Sequence, residues 1–152
     1  MNNKKTVLVD LDGTLALNKH RSHFISKSNR NKPDWISYFN ACDKDQPNVP
    51  VIESVNALKQ QGHYIHIFSA RGDIVRDKTI KWLSLHGVMY DKLTMREMDT
   101  YTPDEILKRF WLLDFYPNYK EDILCVFDDR DKVVKMWREL GLVCFQVAEG
   151  NF

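Results

Sequence analysis

Asp10 and Asp12 stand two residues apart, directly after the apolar run Val7 to Val9 and directly before Gly13-Thr14. A strand end commonly carries one aspartate as a turn former, and a second carboxylate beside it is surplus to that need. A carboxylate in such a pair can attack phosphorus, as in aspartyl-phosphate enzymes, or pass a proton to a leaving alcohol and take one from water. A phosphate ester is itself anionic, so attack by an aspartate requires positive charge nearby. Mg²⁺ held by carboxylate oxygens and waters supplies that charge. A second acidic pair, Asp128-Asp129, follows the apolar run Ile123 to Phe127 in the same way. Zinc chemistry is not indicated. His20, His23, His63, His66 and His86 are spread out, with no H-E-x-x-H pattern and no matching cysteine spacing.

The elements that must position these acids are legible as apolar runs. Val7 to Val9, Tyr64 to Phe68, Ile123 to Phe127 and Leu142 to Val147 are continuous rather than alternating, which suits parallel strands covered on both faces; Leu93 to Met95 is a shorter example. Between them, Val51, Ile52, Val55 and Leu58 share one helical face. So do Val75, Thr79, Trp82, Leu83 and His86, and again Val133, Met136, Trp137 and Leu140, with Gly141 as the stop. A fourth helix is expected to open with Thr102 as N-cap, Pro103 in the first helical position and Glu105 completing a capping box. Strands alternating with helices predict an α/β fold: a doubly wound, mostly parallel sheet with right-handed crossovers. Such sheets bind ligands at the carboxyl ends of their strands, where both acidic pairs fall. The aromatics Trp82, Phe110, Trp111 and Trp137 are expected in the core.

One segment breaks the rhythm. Roughly 35 residues separate the first strand from the helix at Val51, far more than a usual βα loop. Residues 15–32 carry Lys19, Arg21, Lys27, Arg30 and Lys32 with His20 and His23, and no acid. Pro33 to Phe39 then reads as a short helix with an aromatic face. The insertion, about residues 15–48, is either a surface element whose aromatics pack on the core or a basic cap over the mouth of a site. The whole chain, 1–152, reads as a single domain that contains this insertion. Its 22 Lys+Arg against 21 Asp+Glu leave a net charge of +1, so no global field points to nucleic acid or membrane, and any such preference must be local. Cys42, Cys125 and Cys144 cannot all pair within the chain and read as reduced core residues. No apolar stretch approaches the roughly 20 residues of a membrane span, and Asp10 and Asp12 interrupt the only signal-like start. A soluble, cytoplasmic protein is expected.

Asp10-x-Asp12-Gly13-Thr14 resembles the signature of the haloacid dehalogenase (HAD) superfamily of phosphotransferases. That superfamily's other signatures appear in order: Ser69 at a strand end, Lys108 on a helix, and Asp128-Asp129 after a strand. A narrower resemblance is to the 3′-phosphatase domains of phage polynucleotide kinases. It rests on Arg21 eleven residues after Asp10, on Ser69-x-Arg71, on Asp104 four residues before Lys108, and on the tail Phe127-Asp128-Asp129-Arg130 continuing to Gly141 and Gln146-Val147-Ala148. Two features depart from that pattern. The basic insertion is longer, and no G-x-x-x-x-G-K-(S/T) loop is present, so this chain carries no kinase half.

The resemblance implies a HAD-like (Rossmannoid) fold and a role for each matched residue. Asp10 is the nucleophile, and Asp12 is the acid for the leaving alcohol and then the base for water. The carboxylates of Asp10 and Asp128 and the backbone carbonyl of Asp12 hold the metal. Asp129 acts through a water, orients a ligand, or serves only as the N-cap of the next helix. Ser69, Thr14 and the backbone around Gly13 donate to phosphate oxygens, the bland role for Ser69 being a turn hydrogen bond. Lys108 offers a point charge to the transferring group. Asp104, in the favourable i, i+4 order, either holds Lys108 or makes a solvated salt bridge. Arg21 grips phosphate. Arg71 and Arg130 bind phosphate or sugar, or are ordinary surface arginines.

The expected function is a Mg²⁺-dependent phosphomonoesterase that removes 3′-phosphate from DNA or RNA ends through an aspartyl-phosphate, alongside a separate kinase or ligase. One alternative is a nucleotidase or other small-molecule phosphatase. Another is a non-catalytic binding module, which the intact Asp10, Asp12, Ser69, Lys108 and Asp128 oppose.

Overall fold

The computed structural model describes residues 3–26 and 32–152. Lys27 and Arg30, two of the expected cations of the insertion, lie outside the described residues. Strand β1 (Thr6–Val9) is followed by β2 (Ala16–Leu17), a 3₁₀ helix at Lys19–Ile25, α1 (Trp35–Asn40), a second 3₁₀ turn at Ala41–Lys44, β3 (Gln46–Pro47) and α2 (Val49–Gln60). Next come β4 (Tyr64–Gly72), a short 3₁₀ turn into α3 (Arg76–Leu85), β5 (Lys92–Arg96) and α4 (Asp104–Phe115). The chain finishes with α5 (Tyr119–Asp122), β6 (Ile123–Asp128), α6 (Asp131–Glu139) and β7 (Cys144–Gln146).

The five longer-range strands form one all-parallel sheet in the order β5-β4-β1-β6-β7. Successive side chains on a strand point to opposite faces. Val7 and Val9 therefore join Ile65, Ile67, Val55, Trp82 and Leu83 in one apolar cluster. Leu8 joins Phe68, Leu112, Val126, Val133, Val134 and Trp137 in the other. Both faces are covered, which is why the strands read as continuous apolar runs. The chain runs outward through β1, β4 and β5, then returns to lay β6 and β7 on the other side of β1. The reversal between β1 and β6 opens a crevice at their carboxyl ends.

The expected helices form where the apolar periodicity placed them, with two differences. Thr102 does not cap α4. Pro103 stays extended at ψ 145° and itself occupies the N-cap position, so the helix starts at Asp104 without any side-chain cap bond. Phe110 is not a core residue but 60% exposed, because α4 turns Lys108 and Leu112 inward and leaves Ile106, Phe110 and Leu113 facing out. Trp82 and Trp137 are buried as expected, and all three cysteines are buried and unpaired.

The insertion is tied down at its neck. β2 and β3 pair antiparallel, Ala16 opposite Pro47 and Leu17 opposite Gln46, and so bring its two ends together. Asp34 caps α1, accepting from the Ser37 backbone N–H at 3.0 Å and its hydroxyl at 2.6 Å. Tyr38, Phe39 and Cys42 are buried in the same cluster as β1 and β4. Trp35 and Ile36 remain exposed.

Candidate active site

Asp10 directly follows β1 and Asp128 ends β6, so the switch in strand order places both carboxylates at one crevice. The Asp10 N–H donates to the Phe127 carbonyl at 2.9 Å, which fixes the two strand ends relative to each other. Lys108, 2% exposed on the inner face of α4, reaches between them. Its Nζ donates to Asp10 Oδ1 at 2.7 Å and to Asp128 Oδ2 at 3.0 Å. Asp128 is further held by the Trp137 indole N–H at 3.2 Å and the Asp129 backbone N–H at 2.9 Å. The Thr14 hydroxyl, fully buried, donates to Asp10 Oδ2 at 2.9 Å and lies 3.4 Å from Asp129 Oδ1. Gly13 makes this possible. It sits at φ +80°, and a Cβ there would lie 2.1 Å from Asp129 Oδ2.

Burial and the neighbouring Asp128 push the Asp10 carboxyl well above the usual range, against the opposing pull of Lys108. Burial also raises Asp129. Lys108 feels the reverse: burial pulls its ammonium down, but Asp10 and Asp128 outweigh that and hold it charged. Two of these acids, Asp10 and Asp128, share the one lysine.

A second wall is built from the insertion and β4. Asp12 Oδ1 accepts from Arg21 Nη2 and from Arg71 Nη2, each at 2.5 Å. Both guanidinium groups are buried. Behind them lies Asp45, 2% exposed, which takes Arg21 on both oxygens at 2.8 Å and Arg71 Nη2 at 3.3 Å. Asp45 also meets His20 Nε2 at 2.6 Å, and its carbonyl accepts the Trp82 indole N–H at 2.8 Å. Arg71 Nη1 donates to the Thr79 hydroxyl at 2.9 Å, and the Arg21 guanidinium lies 4.2 Å over the Tyr38 ring. Burial pushes Asp12 upward, but Arg71 and Arg21 beside it dominate and bring its pKa down to about 2.

Several expected residues make contacts other than those anticipated. Arg71 is not a surface arginine: with Arg21 it is buried and clamped between Asp12 and Asp45. Asp104 does not pair with Lys108, because that ammonium is taken by Asp10 and Asp128. Its carboxylate bridges Arg96 at 2.8 Å and Arg130 at 2.9 Å instead. Arg130 also donates to the Phe152 carbonyl at 2.7 Å. The N-cap position of α6 belongs to Arg130, not Asp129, whose carboxylate turns inward to Thr14. Ser69, 1% exposed, accepts the Arg71 backbone N–H at 3.2 Å, the turn bond of the bland reading.

Asp45 and Arg96 were not anticipated. Asp45 has a signal in retrospect, as an acid ending an insertion whose first half has none, but its partners lie 24 and 26 residues away and no local pattern names them.

Carboxylate oxygens of Asp10, Asp128 and Asp129 lie within 4.8 Å of one another. Hard oxygen donors gathered this closely fit a hard divalent cation such as Mg²⁺. The side chain of Asp12 takes no part in that group, being committed to the two arginines. Asp129 contributes a carboxylate that the sequence placed only at second hand.

Residues 4–152 match the model of the phosphatase domain of polynucleotide kinase PNKP, of the HAD type. A protein of Autographa californica nuclear polyhedrosis virus, described as a bifunctional polynucleotide kinase/RNA ligase, is 33% identical over 143 residues, 91% of this chain and 18% of that one. A chain of the Pnkp1/Rnl/Hen1 RNA repair complex superposes with a TM-score of 0.79 at 33% identity, covering 100% of this chain and 45% of its own. A haloacid dehalogenase-like hydrolase of Streptococcus pneumoniae, at 16% identity, shares the fold with a TM-score of 0.62 over 96% of this chain and 85% of its own. The chain thus spans less than half the length of the repair proteins it matches. Its match to the phosphatase model over nearly every residue places it in the polynucleotide kinase phosphatase-domain family, the HAD-type phosphoric monoester hydrolases.

Proposed function

We propose that this domain removes 3′-phosphate from nucleic acid ends in the cytoplasm, through a phosphoryl group carried transiently on Asp10. The observation that carries the reading is the pairing of two complete walls within a polynucleotide-kinase-type phosphatase domain. One wall is Asp10, Lys108, Asp128 and Asp129; the other is Asp12 held by Arg21 and Arg71. Residues 15–48 serve as a cap on a single domain, since Arg21 and Asp45 of the insertion complete the second wall.

Asp10, Asp128 and Asp129 with the carbonyl of Asp12 would hold Mg²⁺, which would supply charge neutralisation for an anionic substrate. Asp10 attacks phosphorus, forming the aspartyl-phosphate as the P–O bond to the 3′-alcohol breaks. Lys108 offsets the charge on the transferring oxygens, and the Ser69 hydroxyl and the Thr14 region donate to them. In the free site Asp12 is ionised, the state required of a base toward the water that hydrolyses the intermediate. An arriving phosphate competes for Arg21 and Arg71. Drawing those donors away from Asp12 lets its pKa rise, so that it can hold the proton it delivers to the leaving alcohol.

The basic bias of residues 15–32 supports a polyanionic substrate, because each further phosphate contact adds affinity that salt weakens. A separate kinase or ligase would use the resulting 3′-hydroxyl. The test is a panel assay of phosphate release from 3′- and 5′-phosphorylated DNA and RNA oligonucleotides and from nucleoside monophosphates, at low and high salt. The 3′-phosphorylated oligonucleotide is expected to have the highest kcat/KM, with the advantage shrinking as salt rises. Equal rates on mononucleotides at low salt would replace this reading with a nucleotidase.

A further inference from the structure

We propose that Trp35 on the cap is a stacking platform for a base of the strand whose end is being dephosphorylated. This rests on the polynucleotide reading above and adds where the strand lies. In an in-line transfer the leaving group departs on the side opposite the nucleophile, and the acid that protonates it marks that side. Asp10 sits with Lys108 and Asp128, whereas Asp12 faces Arg21 and Arg71. The nucleoside therefore exits along the Asp12 wall, beneath the cap.

That wall leads to Trp35 through two contacts. Arg21, bonded to Asp12, lies 4.2 Å over the Tyr38 ring and donates to the Tyr38 carbonyl at 3.2 Å. Tyr38 meets Trp35 edge-on, with centroids 5.7 Å apart at 88°. Phe39 braces the indole from another side at 5.8 Å and itself fills the space over Gly72, at the carboxyl end of β4, where an added Cβ would come within 3.1 Å of it. Tyr38 and Phe39 are 7% and 9% exposed, so the helix is anchored to the core through them, while Trp35 is 49% exposed. A single exposed aromatic is unremarkable as surface. Here the indole is held by two buried rings beside the leaving-group side of the site. A preorganised ring loses little freedom on stacking.

The charge of the surroundings suits a nucleic acid strand. Lys32 is exposed just before the helix, and Lys78 crosses from α3 to donate to the Asn40 carbonyl at 2.8 Å at its far end. The adjacent acid, Asp34, stays charged and turns its carboxylate to the Ser37 N–H and hydroxyl as the helix cap. Base–aromatic stacking tolerates any sequence, because every base has a π-face.

The experiment compares a 3′-phosphorylated tetranucleotide with the same strand carrying abasic sites at its last two positions, so that charge and length stay constant. Wild-type protein is expected to favour the base-bearing strand. Trp35→Ala should raise KM on that strand at least about five-fold with kcat little changed, and bring the ratio of the two substrates toward unity. Trp35→Phe should restore most of the preference. Equal losses on both strands would mean that Trp35 merely props the cap, and the proposal fails. It also fails if Trp35→Ala leaves the preference intact, including the case in which sedimentation shows that the variant has lost self-association or a protein partner instead. If wild-type protein hydrolyses 3′-phosphorylated oligonucleotides no better than nucleoside 3′-monophosphates, the substrate reading falls first and this site falls with it.

Discussion

Asp45→Ala removes the carboxylate that holds Arg21 bidentately and touches Arg71, while Asp12 stays in place. The wild-type cluster has two guanidinium groups against two carboxylates, with the side chains of Arg21, Arg71 and Asp45 fully buried. The variant leaves two buried cations facing one acid. Breaking such a network by deleting one partner costs about 3–5 kcal/mol, mostly from the charge left unpaired. For a chain of this length each kcal/mol moves the midpoint by roughly 2–4 °C, so a fall of about 6–20 °C in Tm is expected. Asp45→Asn, which keeps an acceptor and the shape, should lose less. Activity should suffer beyond stability, because Arg21 and Arg71 would no longer be aimed at Asp12; misplacement on the ångström scale costs on the order of 10²-fold in rate. The assay pairs thermal unfolding by circular dichroism with kcat on an aryl phosphate, measured well below the variant's Tm. A variant that melts within a degree or two of wild type and keeps its kcat would refute the view that this cluster organises the second wall.

Asp10→Asn should abolish turnover while circular dichroism shows an intact fold, since it removes the attacking oxyanion and one cation-holding oxygen; more than trace activity in the folded variant sinks the nucleophile assignment. Exhaustive chelation should stop phosphate release, with Mg²⁺ or Mn²⁺ restoring it, and Asp128→Ala should weaken Mg²⁺ binding measured by calorimetry; full activity in chelator would mean the acidic group has been misread. The folded-state pKa of Asp12, about 2 against an ordinary 3.8, is depressed, so its contribution of roughly 2 kcal/mol is fully present above about pH 4 and lost as pH falls toward 2. Urea midpoints of wild type and Asp12→Asn should accordingly converge on acidification, and a constant gap from pH 5 to pH 2 would contradict this.

The local rules carried much of this molecule. Val7 to Val9 and Ile123 to Phe127 announce buried parallel strands because a strand covered on both faces must be apolar at every position. The acidic pairs after them announce a site because two carboxylates at a strand end exceed what a turn needs. Those signals depend only on neighbours in the chain, and they singled out Asp10, Asp12, Asp128 and Asp129; Lys108 was named only by the family resemblance. What the chain order could not decide is which charge meets which. Asp104 stands one helical turn before Lys108, yet the ammonium is drawn to Asp10 and Asp128, 98 and 20 residues away, because burial at the switch point makes that pairing the stronger one. Asp104 is left to Arg96 and Arg130. The partners of Asp45 are anonymous in sequence and decisive in space, because the two-residue ribbon of β2 and β3 folds the neck of the insertion back on itself. Hydrophobic periodicity is a property of successive residues, whereas the pairing of buried charges is settled only when the fold has removed the water that would otherwise satisfy each of them separately.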